Sequence, residues 1–230
     1  MLSLVVSFAM PEDRVASAYA ECVPALKRRA SALKILWPPR KIFLRAIKDE
    51  KVLELWAYRA EKKAYVLWSK HPIAAASGNL GPKRVIGDLQ VPEGLYQVAV
   101  FNPQSRFHLS LGLNYPNKAD RILGDSENPG SEIYIHGSRV SIGCLAMTDP
   151  VIKPIYVLAS EARRAGQKTI PVHIFPSRLT RGRQGELCKA HPEHAKFWTE
   201  LGPFFRFFEK ERKIPGFKIT SEGRYVFVGP

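Results

Sequence analysis

The run Ile133-Tyr-Ile-His-Gly-Ser-Arg-Val-Ser-Ile-Gly-Cys-Leu-Ala-Met147 sets an imidazole and a thiol eight residues apart, His136 and Cys144, each beside a glycine. A cysteine becomes a nucleophile when its thiolate is favoured by a nearby imidazole or by the positive end of a helix. The connection from 137 to 142 is short enough to fold back on His136, and a helical pattern begins a few residues beyond Cys144. Gly143 lets the backbone approach a substrate closely, so the amides from Gly143 to Leu145 could hold an oxyanion. In that reading His136 is the base, Cys144 the attacking atom and Gly143 part of the oxyanion site. Two other readings stay open on the residues alone. A lone cysteine is commonly a small buried hydrophobe. A zinc site on His108, His136 and Cys144 is the other, but no Cys-x-x-Cys or His-Glu-x-x-His spacing supports it, so no metal and no cofactor are expected. His191-Pro-Glu-His194 reads more simply as the start of a helix.

The elements around this pair are legible as strands. Runs at 41–48, 51–59 and 64–69 are separated by charged turns and read as two meander hairpins. Two further strands are expected at 95–101 and 107–113. Successive side chains of a strand point to opposite faces. Phe107, Leu109, Leu111 and Leu113 therefore form one apolar face, with His108 and Ser110 on the other. The same alternation buries Ile133 and Ile135 and turns Tyr134 and His136 away from them. His108, Tyr134 and His136 could thus floor a cleft, although a solvated sheet face gives the same pattern.

Helices flank this β region. Apolar residues at helical spacing from Arg14 to Leu36, interrupted at Pro24, predict one or two N-terminal helices. Thr148-Asp149-Pro150 reads as an N-cap with proline in the first turn, Pro154 delaying the start, and a helix ending at Gly166. A strand at 169–175 follows. An aromatic helical stretch from Pro192 to Lys213, broken at Gly202-Pro203, leads to a last strand at 224–228. The expected organisation is an N-terminal segment at 1–39, a catalytic domain at 40–176 and a helical extension at 177–230 packed on the same domain.

The 230-residue chain carries a formal net charge of +14, so its surface should attract polyanions. Its Lys and Arg are scattered, and no nucleic-acid-binding signature is present. No stretch approaches the ~18 apolar residues of a membrane span. The opening MLSLVVSFAM resembles the apolar core of an export signal without a basic flank, and an ordinary strand or helix turn is the alternative. Ala18-Tyr-Ala20 has the form of a cleavage site but lies far past that run. Three cysteines, Cys22, Cys144 and Cys188, have no metal-binding spacing. Export would allow a Cys22–Cys188 bridge, and three thiols suit a reducing compartment equally.

Three stretches together resemble the L,D-transpeptidase catalytic-domain (YkuD-like) family of bacterial cell-wall enzymes, in its YafK-like branch. They are Gly87-Asp-Leu-Gln-Val-Pro-Glu-Gly-Leu-Tyr96, Ser105-Arg-Phe-His-Leu-Ser-Leu-Gly-Leu-Asn-Tyr-Pro-Asn117 with Asp120, and Ile135-His-Gly-Ser-Arg-Val-Ser-Ile-Gly-Cys-Leu-Ala-Met-Thr-Asp149. The resemblance implies an α+β fold: a mostly β, sandwich-like core with an N-terminal helical segment and C-terminal helices. It implies attack of Cys144 on a peptidoglycan stem-peptide carbonyl, His136 as base, Gly143 at the oxyanion site and a thioester intermediate. Ser141 matches the motif serine, and Tyr134, His108, Arg139 and Tyr115 fall where substrate contacts are expected. Ile142 stands where many members have a second histidine, and Ala146 where they have Arg or Asn. Arg139 or Arg106 could substitute for that missing cation. In this branch such departures imply an amidase that releases a wall-anchored lipoprotein from meso-diaminopimelate, in the periplasm. Crosslink formation or lipoprotein attachment is the alternative reaction. A non-catalytic basic wall-binding module is the alternative of another class.

Overall fold

A computed structural model describes residues 13–229. The apolar segment read as an export signal lies outside them. Asp13 starts helix α1 (Arg14–Ala32) by accepting the N–H groups of Val15 and Ala16, which fills two orphan donors of the first turn. The helix takes in Ala18-Tyr-Ala20 and passes through Pro24 without interruption, contrary to the expected break. An interior proline costs about 3 kcal/mol. Burial of Ala18, Leu26 and Ala30 in the core offsets it.

Strands β1 (Ile42–Ile47), β2 (Val52–Arg59) and β3 (Ala64–Pro72) form the two predicted hairpins. All six residues of β1 are buried, as a nearly continuous apolar run in a central strand must be. Its Arg45 is tolerated because Glu54 and Glu209 pair with it at 2.6 and 2.7 Å. Strands β4 (Gly94–Ser105) and β5 (His108–Leu113) form a long hairpin. After it come a short helix α2 (Lys118–Leu123), strand β6 (Tyr134–His136) and strand β7 (Leu145–Ala146). Helix α3 (Asp149–Arg164) starts at Asp149 with Pro154 inside it, so that proline does not delay the start, and Thr148 makes no side-chain cap bond. The chain ends with β8 (Pro171–Phe175), α4 (Arg181–Ala190), a 3-10 turn at Pro192–His194, α5 (Ala195–Glu211), β9 (Phe217–Ile219) and β10 (Tyr225–Phe227).

Eight strands make one sheet in the order β3-β2-β1-β8-β4-β5-β6-β7. It curls until its ends meet: Ala74 and Ala75, just past β3, exchange backbone hydrogen bonds with Ala146 of β7 at 2.8 and 3.1 Å. The sandwich-like layers are two halves of this sheet, sharing β4, and the fold is α+β. Leu44, Leu55, Leu111, Ile135, Leu145 and Val172 fill the main core with α1 and α3 against them. On the other side α5 lays Trp198, Phe204 and Phe205 against Ile47 and Phe175, and Phe208 against Phe43 and Trp56.

Helix α5 is continuous through Gly202-Pro203, where a break was expected. Each buried aromatic contributes roughly 1.5–3 kcal/mol, so several of them outweigh one interior proline. Helix α4 has no apolar stripe to betray it, because it buries only Leu187. All three cysteines are free thiols: Cys22 packs against the main core and Cys188 against the α5 cluster, so no Cys22–Cys188 bridge forms.

Candidate active site

The site is built on β5, β6 and β7. Ser110 of β5 lies opposite His136 of β6, and Ile135 and His136 lie beside Leu145 and Ala146 of β7. Cys144 is the residue before β7, level with Tyr134, so Ser110, Tyr134, His136 and Cys144 share one face. Ile135 and Leu145 take the other and are fully buried. All four residues of the shared face line one cavity of about 860 Å³. Neighbouring strands ~4.8 Å apart place same-face residues two positions out of register roughly 8 Å apart at Cβ, a gap the two side chains can close.

His136 is 1% exposed. Its Nδ1 is 2.5 Å from the Gly137 carbonyl. A carbonyl only accepts, so Nδ1 carries the proton and Nε2 is the basic nitrogen. Phe107 covers the ring, with centroids 4.7 Å apart and planes at 32°. Burial pushes the imidazole below its usual range, and the Gly137 bond offsets part of that. The Cys144 thiol receives the Tyr134 N–H at 3.4 Å and donates to the Glu132 carbonyl at 3.6 Å. Burial pushes it up, the Tyr134 N–H pulls it down, Glu132 adds to the rise and Lys83 opposes it. Both shifts favour neutral forms. The resting pair is therefore thiol and imidazole, and no hydrogen bond joins the two side chains.

The connection between them is tightly held. Ser141 Oγ donates to the Cys144 carbonyl at 2.7 Å and accepts the Gly143 N–H at 3.2 Å. Gly143 has φ +127, a value closed to side-chain-bearing residues. Ser138 and Thr148, flanking the His136 turn, and Glu132 and Leu89, lining the cavity, are non-glycine residues at positive φ. Strain of this kind, about 1–3 kcal/mol each, persists where the surroundings overdetermine it.

Of the residues expected from the sequence, His136, Cys144, Ser141, Tyr134 and Arg106 border the cavity. Gly143 lies beside Cys144 in the same turn. His108, Arg139 and Tyr115 are not on its wall. His108 starts β5 with its carbonyl accepting from Arg14 of α1 at 3.1 Å, Arg139 is exposed in the 137–143 turn, and Tyr115 is buried with its hydroxyl on the Pro129 carbonyl at 2.6 Å. Phe107 leaves the apolar face assigned to it: it stands in the β4–β5 turn, 39% exposed. The reason is local. His108 takes φ +70, which ends the alternation one residue early. The far wall comes from Lys83, Ile86 and Leu89 and from Glu132. Only Leu89 falls in a stretch the sequence singled out, 87–96, and nothing there marked it as part of the cavity wall, because these residues reach the site only through the fold. Lys83 is tied there by Asp88 at 2.5 Å and the Val85 carbonyl at 2.9 Å. Among the described residues, no three His, Cys, Asp or Glu side chains group as metal ligands.

The sequence profile of the L,D-transpeptidase catalytic domain (YkuD) matches residues 46–174. The chain belongs to this family. It is 34% identical over 191 residues to YafK of Escherichia coli (strain K12), named by inference as an L,D-transpeptidase, covering 82% of this chain and 74% of that protein. Among solved structures it is similar to the helical cell shape determining protein Pgp2 from Campylobacter jejuni, with TM-score 0.49 and 15% identity over 82% of this chain and 91% of that one. A second is Bd1075 of Bdellovibrio bacteriovorus, with TM-score 0.43 and 20% identity over 74% and 57%.

Proposed function

We propose that this L,D-transpeptidase-family enzyme, acting on peptidoglycan, is a cysteine-dependent amide hydrolase that releases a lipoprotein from the meso-diaminopimelate of stem peptides. The observation that carries the reading is that His136 and Cys144 occupy one sheet face and one open cavity. His136 Nε2 takes the Cys144 proton as sulfur attacks the amide carbonyl. Charge forms on that oxygen beside the Cys144 backbone N–H, the neighbouring Gly143 N–H being held by Ser141 Oγ at 3.2 Å. The C–N bond breaks, the departing lysine amine takes the proton back from His136, and a thioester remains. His136 then draws a proton from water as its oxygen attacks the thioester carbonyl; the C–S bond breaks, the acid is freed, and the departing Cys144 sulfur takes that proton back from His136. Gly137 holds the ring in the tautomer that this sequence needs.

The reading of hydrolysis over transfer follows the departure at position 146, where many family members carry Arg or Asn. Ala146 is fully buried and bonded on both sides, to β6 and to Ala74 and Ala75. No cation for a donor carboxylate stands there. The substrate lies outside the cytoplasmic membrane, so the reading carries with it an exported, periplasmic enzyme.

The test is intact-protein mass spectrometry after incubation with muropeptides and with lipoprotein-bearing sacculi. A stem-peptide adduct on Cys144 and released lipoprotein are expected. Cys144→Ala should abolish turnover while remaining folded, and His136→Ala should lower it by at least ~100-fold, the scale of a lost general base. Crosslinked products in place of released protein would reassign the enzyme as a transpeptidase. Salt-sensitive binding to sacculi with no adduct would reassign it as a wall-binding module.

A further inference from the structure

The carboxylate of Asp149 lies against the peptide that orients His136. Its Oδ1 accepts the Ser138 N–H at 2.7 Å. A Cβ placed on Gly137 would collide with that same oxygen and with the Phe107 carbonyl. Position 137 is therefore glycine because a carboxylate occupies the space beside its Cα. The Gly137 carbonyl, in the peptide between Gly137 and Ser138, is the group that takes the His136 Nδ1 proton. Asp149 holds one end of that peptide unit and His136 reads the other.

Two further features set Asp149 apart from an ordinary acidic residue in a helix's first turn. It makes no bond to the first-turn amides of α3, and Thr148 supplies no cap either. The turn it pins is strained, with Ser138 at φ +64 and Thr148 at φ +72, joined by a Thr148 N–H to Ser138 carbonyl bond of 2.9 Å. Strain at two touching non-glycine residues relaxes unless something holds it.

We propose that Asp149 is a positioning residue for His136: through the Ser138 N–H it fixes the Gly137 carbonyl, and thereby the imidazole tautomer and the direction in which Nε2 faces Cys144. This rests on the assignment of His136 as base, and the test separates the two. The 15N spectrum of the His136 ring, assigned by its loss in His136→Gln, reports the tautomer without any substrate. In the wild type it should show protonated Nδ1 and unprotonated Nε2. Asp149→Ala should give a tautomer mixture and lower kcat by on the order of tenfold to a hundredfold, with KM within about twofold, the scale of a misplaced catalytic group. Asp149→Asn keeps an acceptor oxygen and should restore both readouts to near wild type.

If Asp149→Ala fails to fold, the Asp149→Ala/Ser138→Gly double variant removes the left-handed strain, and it should stay slow with a mixed tautomer. A wild-type ring spectrum in either variant, with or without a lower rate, overturns the proposal, and so does a wild-type kcat. An altered spectrum in an enzyme whose wild type turns over no stem-peptide substrate leaves the positioning role intact and removes the proposed reaction instead.

Discussion

At the scale of single residues, Gly143 shows how little freedom the turn before the nucleophile has. Its φ of +127 is open to glycine alone, and a Cβ there would sit 3.1 Å from the Gln90 carbonyl oxygen. Gly143→Ala should lower stability by about 1–3 kcal/mol, the cost of such a backbone in an L residue. Because the turn carries Cys144, turnover should fall more than stability explains. Urea melts beside muropeptide turnover check this, and an Ala variant with wild-type rate would show that the turn adapts. The same scale explains why the resting pair is neutral. His136 and Cys144 are both buried, and burial moves each towards its uncharged form. The proton transfer then belongs to the reaction and not to the resting enzyme.

At the scale of elements, α1 lies outside the stretch matched by the family profile yet reaches the site. Arg14 donates to the carbonyls of Ser105 and His108 at 2.7 and 3.1 Å. Those residues bracket the β4–β5 turn, whose Phe107 covers the His136 ring. Arg14→Ala removes the clamp but leaves the buried Ala18, Leu26 and Ala30 in place, so α1 should stay docked. The expected result is a several-fold loss of turnover with a melting temperature within a few degrees of wild type. An unchanged rate would uncouple α1 from the site. On the opposite wall, Glu93 ties three elements together. It pairs with Lys48 of the β1–β2 turn at 3.0 Å and accepts the Gly81 N–H at 2.7 Å and the Trp198 indole N–H of α5 at 2.7 Å. The segment that supplies Lys83, Ile86 and Leu89 is held between these anchors.

At the scale of the molecule, the layer between the sheet and α5 sets the response to acid. His173 of β8 is 2% exposed, rings of Phe43 and Phe175 lie against it, and its Nδ1 has no partner. Burial, with Arg45 nearby, pushes its pKa down to about 3 from 6.5. Between those values the unfolded chain binds the proton and the folded one does not. Stability therefore falls as pH drops from about 6.5 towards 3, and this group's share reaches several kcal/mol at roughly 1.4 kcal/mol per unit. Asp120, raised by burial to about 6, works the other way, since the folded chain takes its proton first. His173→Leu should flatten the pH dependence of the urea midpoint between pH 6.5 and 4. An equally steep dependence in the variant would assign acid sensitivity elsewhere.

The chain itself made most strands legible, though not β7 or β9, together with the alternating faces of β5 and β6 and a thiol and an imidazole close enough in sequence to be candidates for a pair. These follow from local rules: a period of two along a strand, and a thiol and an imidazole at glycine bends a few residues apart. The continuity of α1 and α5 through their prolines was not legible, because only packing against a sheet face offsets the lost hydrogen bond. Nor was the departure of Phe107 from its apolar face, which depends on His108 entering the left-handed region. The closure of β7 onto Ala74 and Ala75, and the cavity wall from Lys83 to Leu89, join residues about 55 to 72 positions apart. No local periodicity encodes such contacts. The tertiary structure alone decided that the thiol and the imidazole share a cavity, and that Asp149 abuts the peptide holding the base.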